Sequence, residues 1–206
     1  MATVALAADH ARLTRRARAL AWGGIAWHTV EFAIAIVAGI AASSIALIGF
    51  GIDSLIESFA GFVVIWRFSG ARSESHDSEH RAQRLIAVSF FVLAGYVGVE
   101  SVRTLVTGAR PEESWLGVGL AAVTLVTMPA LALAKQRVGR QLGSGATVRE
   151  AVQNLVCAYL SVALLIGLLA NALLGWWWAD PLAALVIAAV ALREGVETWR
   201  GEDDCC

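Results

Sequence analysis

The sequence predicts an all-α membrane protein, a bundle of six transmembrane helices with both termini in the cytoplasm. Composition is the first reason. Of 206 residues, 58% are hydrophobic and only 16% are charged, with a mean hydropathy of +0.67, whereas soluble chains average about 25% charged residues. The second is length: six segments stay apolar over about 20 residues, enough at 1.5 Å per residue to cross a hydrocarbon core of ~30 Å. The third is that basic residues gather on alternate links.

The spans read, in order, Ala19–Ala41, Ile45–Trp66, Leu85–Thr107, Trp115–Ala134, Ala151–Leu174 and Ala179–Thr198. Span one follows a basic segment, and its His28 and Glu31 sit one turn apart, either lining an ion path or pairing with each other. Span two carries Gly49, Gly51 and Gly61, small residues that let helices approach closely. In span three, Glu100 and Arg103 are three apart and are expected to form a salt bridge. Spans four and five are apolar throughout, apart from polar positions such as Gln153 and Asn154 near the start of span five, where Cys157 also lies. Span six loses its apolar run at Arg193 and is expected to continue as an interfacial helix. Asp180 before Pro181 reads as that helix's N-cap. Short polar links join one to two, three to four and five to six, so three antiparallel hairpins are expected. The resulting organisation is a basic cytoplasmic segment at 1–18, the six-helix domain at 19–200 and a short cytoplasmic tail at 201–206.

Orientation follows from charge. Arg12, Arg15, Arg16 and Arg18 precede span one. Arg67, Arg72, Arg81 and Arg84 separate spans two and three, and Lys135, Arg137, Arg140 and Arg149 separate four and five. Arg193 and Arg200 close the chain, which leaves only Arg103 and Arg110 of the 16 basic residues on the other side. The excess of basic residues marks the cytoplasmic face, and Trp176, Trp177 and Trp178 then fall at the outer interface. The cell membrane is the expected location. The net charge of −1 says little about partners, and no nucleic acid is expected among them. Three cysteines, two of them the terminal Cys205 and Cys206, make no disulfide framework. The terminal pair, after Glu202, Asp203 and Asp204, either hands on a thiophilic cation or has no role.

An ionisable side chain at mid-bilayer costs roughly 2.5–3.5 kcal/mol on insertion scales, so it persists where a cavity or a partner receives it. Asp53 and Glu57 are four apart and share one face of span two. Two carboxylates this close in a low dielectric do not both ionise cheaply. A divalent cation would neutralise both and displace the proton they hold, which is the minimal machinery for exchanging a metal against protons. The alternative is a protonated pair hydrogen-bonded to neighbouring helices. No basic residue is expected in any span centre to balance them.

The segment Gly51-Ile52-Asp53-Ser54-Leu55-Ile56-Glu57 resembles the second transmembrane helix of cation diffusion facilitators, which carries an acid or histidine followed four residues later by an aspartate. Val99-Glu100-Ser101-Val102-Arg103 followed by Pro111 is similar to the end of that family's third helix. Gly175-Trp176-Trp177-Trp178-Ala179-Asp180-Pro181-Leu182 resembles its link between helices five and six. His76-Asp77-Ser78-Glu79-His80 resembles its cytoplasmic His-x-x-x-His loop before helix three, which in some members binds a second metal. The resemblance implies that Asp53 and Glu57 are ligands of the transported ion and that two more come from helix five, where the family offers His or Asp and then Asp. This sequence departs there: counting back from Asp180 gives Asn154 and Ala158, and a one-residue shift gives Gln153 and Cys157. Cys157 is the soft ligand nearby, and a thiolate favours Zn²⁺ or Cd²⁺; as a small core residue it needs no metal. The family's cytosolic metal-sensing domain is not found after span six, so the resemblance covers the transmembrane domain only.

The expected function is a secondary transporter that exports a divalent transition metal from the cytoplasm in exchange for protons. Zn²⁺ leads, with Cd²⁺ or Co²⁺ as further cargo. The candidate metal residues are Asp53, Glu57, Asn154, Cys157, His76 and His80. No resident cofactor is expected, and any homodimer would form through the membrane helices. A metal-binding accessory or sensor protein and an organic-cation carrier are the other readings. No Walker loop and no helix-borne His-Glu-x-x-His occur, so neither ATP-driven pumping nor enzymatic hydrolysis is expected.

Overall fold

The computed structural model describes residues 2–67 and 76–200, with side chains described from residue 10 onward except at 60, 63–64, 66–67, 76–83, 145–146 and 149. The described residues form six helices: α1 (Ala2–Ala42), α2 (Ile45–Arg67), α3 (His76–Thr107), α4 (Trp115–Leu142), α5 (Gly145–Leu174) and α6 (Ala179–Arg200). Helices are what a chain this apolar must form in lipid, because a helix satisfies every internal backbone N–H and C=O within itself. Breaks fall where the sequence supplies caps. Ser114 accepts the backbone N–H of Gly117 at 3.2 Å, Ser144 accepts that of Thr147, and Gly143 and Gly175 take the left-handed conformation at the ends of α4 and α5.

Among the described residues, four stretches are long and apolar enough to cross a bilayer: His10–Ala42, Arg84–Thr107, Trp115–Leu142 and Glu150–Leu174. The other two helices, α2 with 23 residues and α6 with 22, reach about 33–35 Å at 1.5 Å per residue, also a membrane thickness. Each brings a buried carboxylate inside, Asp53 and Glu57 on α2 and Asp180 on α6. The chain is therefore an all-α membrane bundle. Large apolar side chains face outward around it, among them Val37, Val99, Val126 and Ile166, each more than 60% exposed. In water such a surface would be a liability; in lipid it is the expected exterior.

The helices overrun the apolar spans at the end that carries most of the arginines. α1 alone has 41 residues, about 60 Å, and residues 2–18 are part of it without a break. α4 continues past Ala134 to Leu142. At the opposite end, Trp176 and Trp178 stack with ring centroids 5.2 Å apart, and both remain substantially exposed, as interfacial tryptophans do.

α2 is the hub, packed against α1, α3, α5 and α6. Its glycines make that possible: a Cβ on Gly51 would lie 3.1 Å from Ala35 of α1, and one on Gly49 would lie 3.1 Å from Val97 of α3. The closest pairings are α1 with α2, α3 with α6, and α4 with α5. This corrects the expected hairpin of spans three and four. The helices are joined by residues 108–114, but α3 packs on α6 while α4 packs on α5 and α1. The link runs across the bundle instead, where the Glu112 backbone N–H donates to the Ala42 carbonyl at 2.8 Å and Asn171 Nδ2 donates to the Pro111 carbonyl at 3.1 Å.

Asp180 is a second correction. It does not serve as the N-cap of its own helix, since α6 begins at Ala179. Its Oδ1 instead accepts the Ser44 hydroxyl at 2.5 Å and its Oδ2 accepts the Ala46 backbone N–H at 3.4 Å. A buried carboxylate thus closes the N-terminus of α2 from across the bundle, where backbone donors and the helix dipole favour an anion. Glu100 and Arg103 form the expected exposed ion pair at 3.3 Å.

Candidate functional site

α2 carries Asp53 and Glu57 one turn apart; Glu57 turns toward His28 of α1 and Cys157 of α5, and Asp53 has Glu194 of α6 and Glu31 of α1 as acidic neighbours. Asp53 and Glu57 are 3% and 5% exposed, so neither points into lipid. Burial of a carboxylate is costly unless hydrogen bonds or an opposite charge compensate it. Compensation is incomplete here. Among the described residues, Asp53 Oδ2 and both Glu57 oxygens have no hydrogen-bond partner.

The nearest cationic candidate is His28 of α1. Its Nδ1 is hydrogen-bonded to Glu31 Oε2 at 2.9 Å and lies 3.1 Å from Glu57 Oε2, the second contact being close but not aligned as a hydrogen bond. His28 and Glu31 therefore form the pair that was one of the two readings, and the pair abuts Glu57 of α2. Glu31 is fully buried, and its Oε1 accepts the hydroxyl of Thr124 from α4. That contact fixes the carboxylate plane so that its other oxygen meets the imidazole.

From α5 comes Cys157, fully buried and in no disulfide, with the Glu57 carboxylate beside its thiol. One donor atom each from His28, Glu31 and Cys157 lie within 4.8 Å of one another, a group of a size that could hold a metal ion. On α5, Asn154, Cys157 and Ala158 all face inward while Gln153 is only partly buried, so Asn154 and Cys157 share the inner face.

Asn154 is engaged elsewhere. Its Oδ1 accepts Lys135 Nζ at 3.3 Å, and Lys135 also meets Glu150 Oε2 at 3.5 Å. Lys135 is 3% exposed and corrects two expectations: it does not lie in a solvated link, and a basic residue does enter the bundle. Gly24 of α1 leaves the room for it, since a Cβ there would stand 2.9 Å from Nζ. The ammonium makes its ion pair with Glu150.

Toward the basic end, a cavity of about 180 Å³ opens between α1, α2 and the start of α5, with His10, Thr14, Arg18, Thr147 and Glu150 among its lining. Glu150 thus borders the cavity on one side and Lys135 on the other. His76 and His80 begin α3 as helix rather than standing in a loop; their side chains lie outside the described residues, as do Cys205 and Cys206. Asp53 and Glu57 were evident as ionisable residues within an apolar run, whereas Lys135 and Thr124 gave no comparable signal.

Comparison with known proteins agrees with this architecture. Residues 24–200 match the cation efflux transmembrane domain. An uncharacterized transporter of Methanocaldococcus jannaschii is 30% identical over 168 residues, covering 78% of this chain and 59% of that protein. An uncharacterized transporter of Synechocystis is 25% identical over 166 residues, 76% of this chain and 53% of the relative. The magnetosome protein MamB of Magnetospira is 32% identical over 116 residues, 56% of this chain and 39% of MamB. The chain thus spans a little over half the length of the first two relatives. A helical bundle with a buried acidic centre, matched by that domain over most of its length, belongs to the cation efflux family.

Proposed function

We propose that this protein is a secondary transporter of the cell membrane that exports a divalent transition metal, Zn²⁺ or a similar ion, in exchange for protons. The observation that carries this reading is the set of buried oxygens on Asp53 and Glu57 that accept no hydrogen bond among the described residues. A carboxylate held in a dry bundle without donors is stabilised by a cation or by a proton. Alternation between the two is what couples their movements.

With both termini in the cytoplasm, the cavity beside Glu150 is the inner entrance. The ion passes from it into the space bounded by α1, α2 and α5, where Asp53 and Glu57 neutralise its charge. Cys157 adds a soft donor that suits Zn²⁺ or Cd²⁺ better than Mg²⁺ or Ca²⁺. Rocking of the helices then exposes the centre to the outer side, and protons arriving there replace the ion. The Lys135–Glu150 pair lies between the cavity and Asn154 and keeps the inner end of the path electrically balanced.

The test is flux of Zn²⁺ or Cd²⁺ into proteoliposomes of the purified protein under an imposed pH gradient. Uptake that follows the gradient, with matching proton counterflow, is the expected result. Metal binding without flux would make the protein a metal-binding accessory. Flux of a lipophilic organic cation without metal flux would replace the cargo.

A further inference from the structure

We infer that α1 supplies ligands to the transported ion, so that the site joins three helices: His28 and Glu31 from α1, Glu57 from α2 and Cys157 from α5. This rests on the reading of the chain as a metal transporter and specifies its binding centre. α5 presents Cys157 to the group, whereas the Asn154 carbonyl oxygen accepts Lys135 Nζ. The deficit is met from α1.

Three features point to a ligand there. The donor atoms of His28, Glu31 and Cys157 are mutually within 4.8 Å. A tetrahedral Zn²⁺ with bonds of roughly 2.0–2.3 Å sets its ligand atoms about 3.3–3.8 Å apart, so a small inward closing completes the geometry. All three side chains are buried. Glu57, 5% exposed, brings Oε2 to 3.1 Å from His28 Nδ1 while forming no hydrogen bond among the described residues. It is the fourth donor, beside both His28 and Cys157.

The ligand atoms are one imidazole nitrogen, two carboxylate oxygens and one thiolate sulfur. This mixture suits a borderline or soft divalent ion, Zn²⁺ or Cd²⁺, over hard ions that take oxygen alone. For ligation, His28 must present the Nδ1 lone pair with its proton on Nε2, and the thiol must release its proton. Thr124 acts as a positioning residue: its hydroxyl holds Glu31 Oε1, leaving Oε2 for the ion, as hydrogen bonds to metal-bound carboxylates commonly do. Asp53 stands one turn along α2, outside this donor group, as the next carboxylate on the path.

X-ray absorption of the purified, full-length protein loaded with one equivalent of Cd²⁺ tests the site directly. The expected shell contains one sulfur and one imidazole nitrogen beside oxygens. Cys157→Ser should remove the sulfur and His28→Gln the nitrogen, each lowering Cd²⁺ affinity at least about tenfold; Glu31→Gln should lower it similarly. Gly119→Ala, with open space around the added Cβ, should leave sulfur and nitrogen in place. Because the wild-type spectrum is itself decisive, misfolding of a variant does not shelter the inference. An all-oxygen shell overturns it, as does a sulfur or nitrogen signal that survives the matching substitution. If the shell is all oxygen yet pH-driven flux persists, only this site falls and the transporter reading stands. If the wild type neither binds Cd²⁺ nor moves metal, both fall.

Discussion

His28 Nδ1 of α1 stands 3.1 Å from Glu57 Oε2 of α2, with both side chains sealed from the surface. The contact joins the long first helix to the helix at the hub of the bundle. It places an imidazole beside Glu57, among Asp53, Glu31 and the Cys157 thiol. Replacing Glu57 therefore removes a charge without removing a core side chain. Glu57→Gln is expected to lower the initial rate of Zn²⁺ or Cd²⁺ flux by more than roughly 100-fold, beyond the 10–100-fold that loss of an outlying hydrogen bond costs a metal site. Flux in proteoliposomes, with helicity and monodispersity unchanged, measures it.

Lys135 and Glu150 form a nearly buried pair at 3.5 Å. Removing one member leaves the other charged and uncompensated. Lys135→Met should destabilise the protein by roughly 3 kcal/mol, and the double substitution Lys135→Met with Glu150→Leu should recover most of that loss. Thermal unfolding in detergent micelles of the two single variants and the double variant checks the cycle. Additive losses would show that the pair is not coupled.

Asp180 holds Ser44 and the start of α2 from 136 positions away. Asp180→Ala is expected to cost roughly 1–3 kcal/mol through the orphaned donors it leaves, seen as a lower unfolding temperature. Metal affinity in the folded fraction should stay within about twofold, inside the ±0.5 kcal/mol typical of changes distant from a site, because Asp180 lies at the far end of the bundle from Lys135 and Glu150.

α5 and α6 approach closely at Gly167, where a Cβ would lie 2.7 Å from Ala183 Cβ and 3.1 Å from the Ala179 carbonyl oxygen. A backbone neighbour does not yield as a flexible side chain does. Gly167→Val should therefore cost about 1–3 kcal/mol by overpacking, whereas Gly119→Ala, with open space around the added Cβ, should not destabilise in this way. A shared loss of stability in both variants would contradict the packing account.

The six helices were legible because apolar length and hydropathy report the lipid environment directly. Asp53 and Glu57 were legible for the same reason, as costly residues in an apolar run. Lys135 was not. The apolar run stops at Ala134 while the helix continues to Leu142, and a hydropathy reading sees the first boundary only. Its partners Gly24, Glu150 and Asn154 come from helices that no local pattern relates. Asp180 carries a cap-like sequence, Asp-Pro at a helix start, yet its side chain serves another helix through a tertiary contact. The α3–α4 link is short enough for a hairpin, but closer packing of α3 on α6 and of α4 on α5 determines the arrangement. The inner face of α5 became definite only with the fold, which puts Asn154 and Cys157 on one side and engages Asn154 with Lys135.

The central claim is that the buried carboxylates of α2 carry the ion. The most direct measurement is pH-gradient-driven Cd²⁺ uptake by proteoliposomes containing wild-type protein or Asp53→Ala, reconstituted to equal density and confirmed as inserted. Abolished uptake in the variant, alongside robust uptake by the wild type, is the predicted result. Uptake by Asp53→Ala at the wild-type rate would contradict the account.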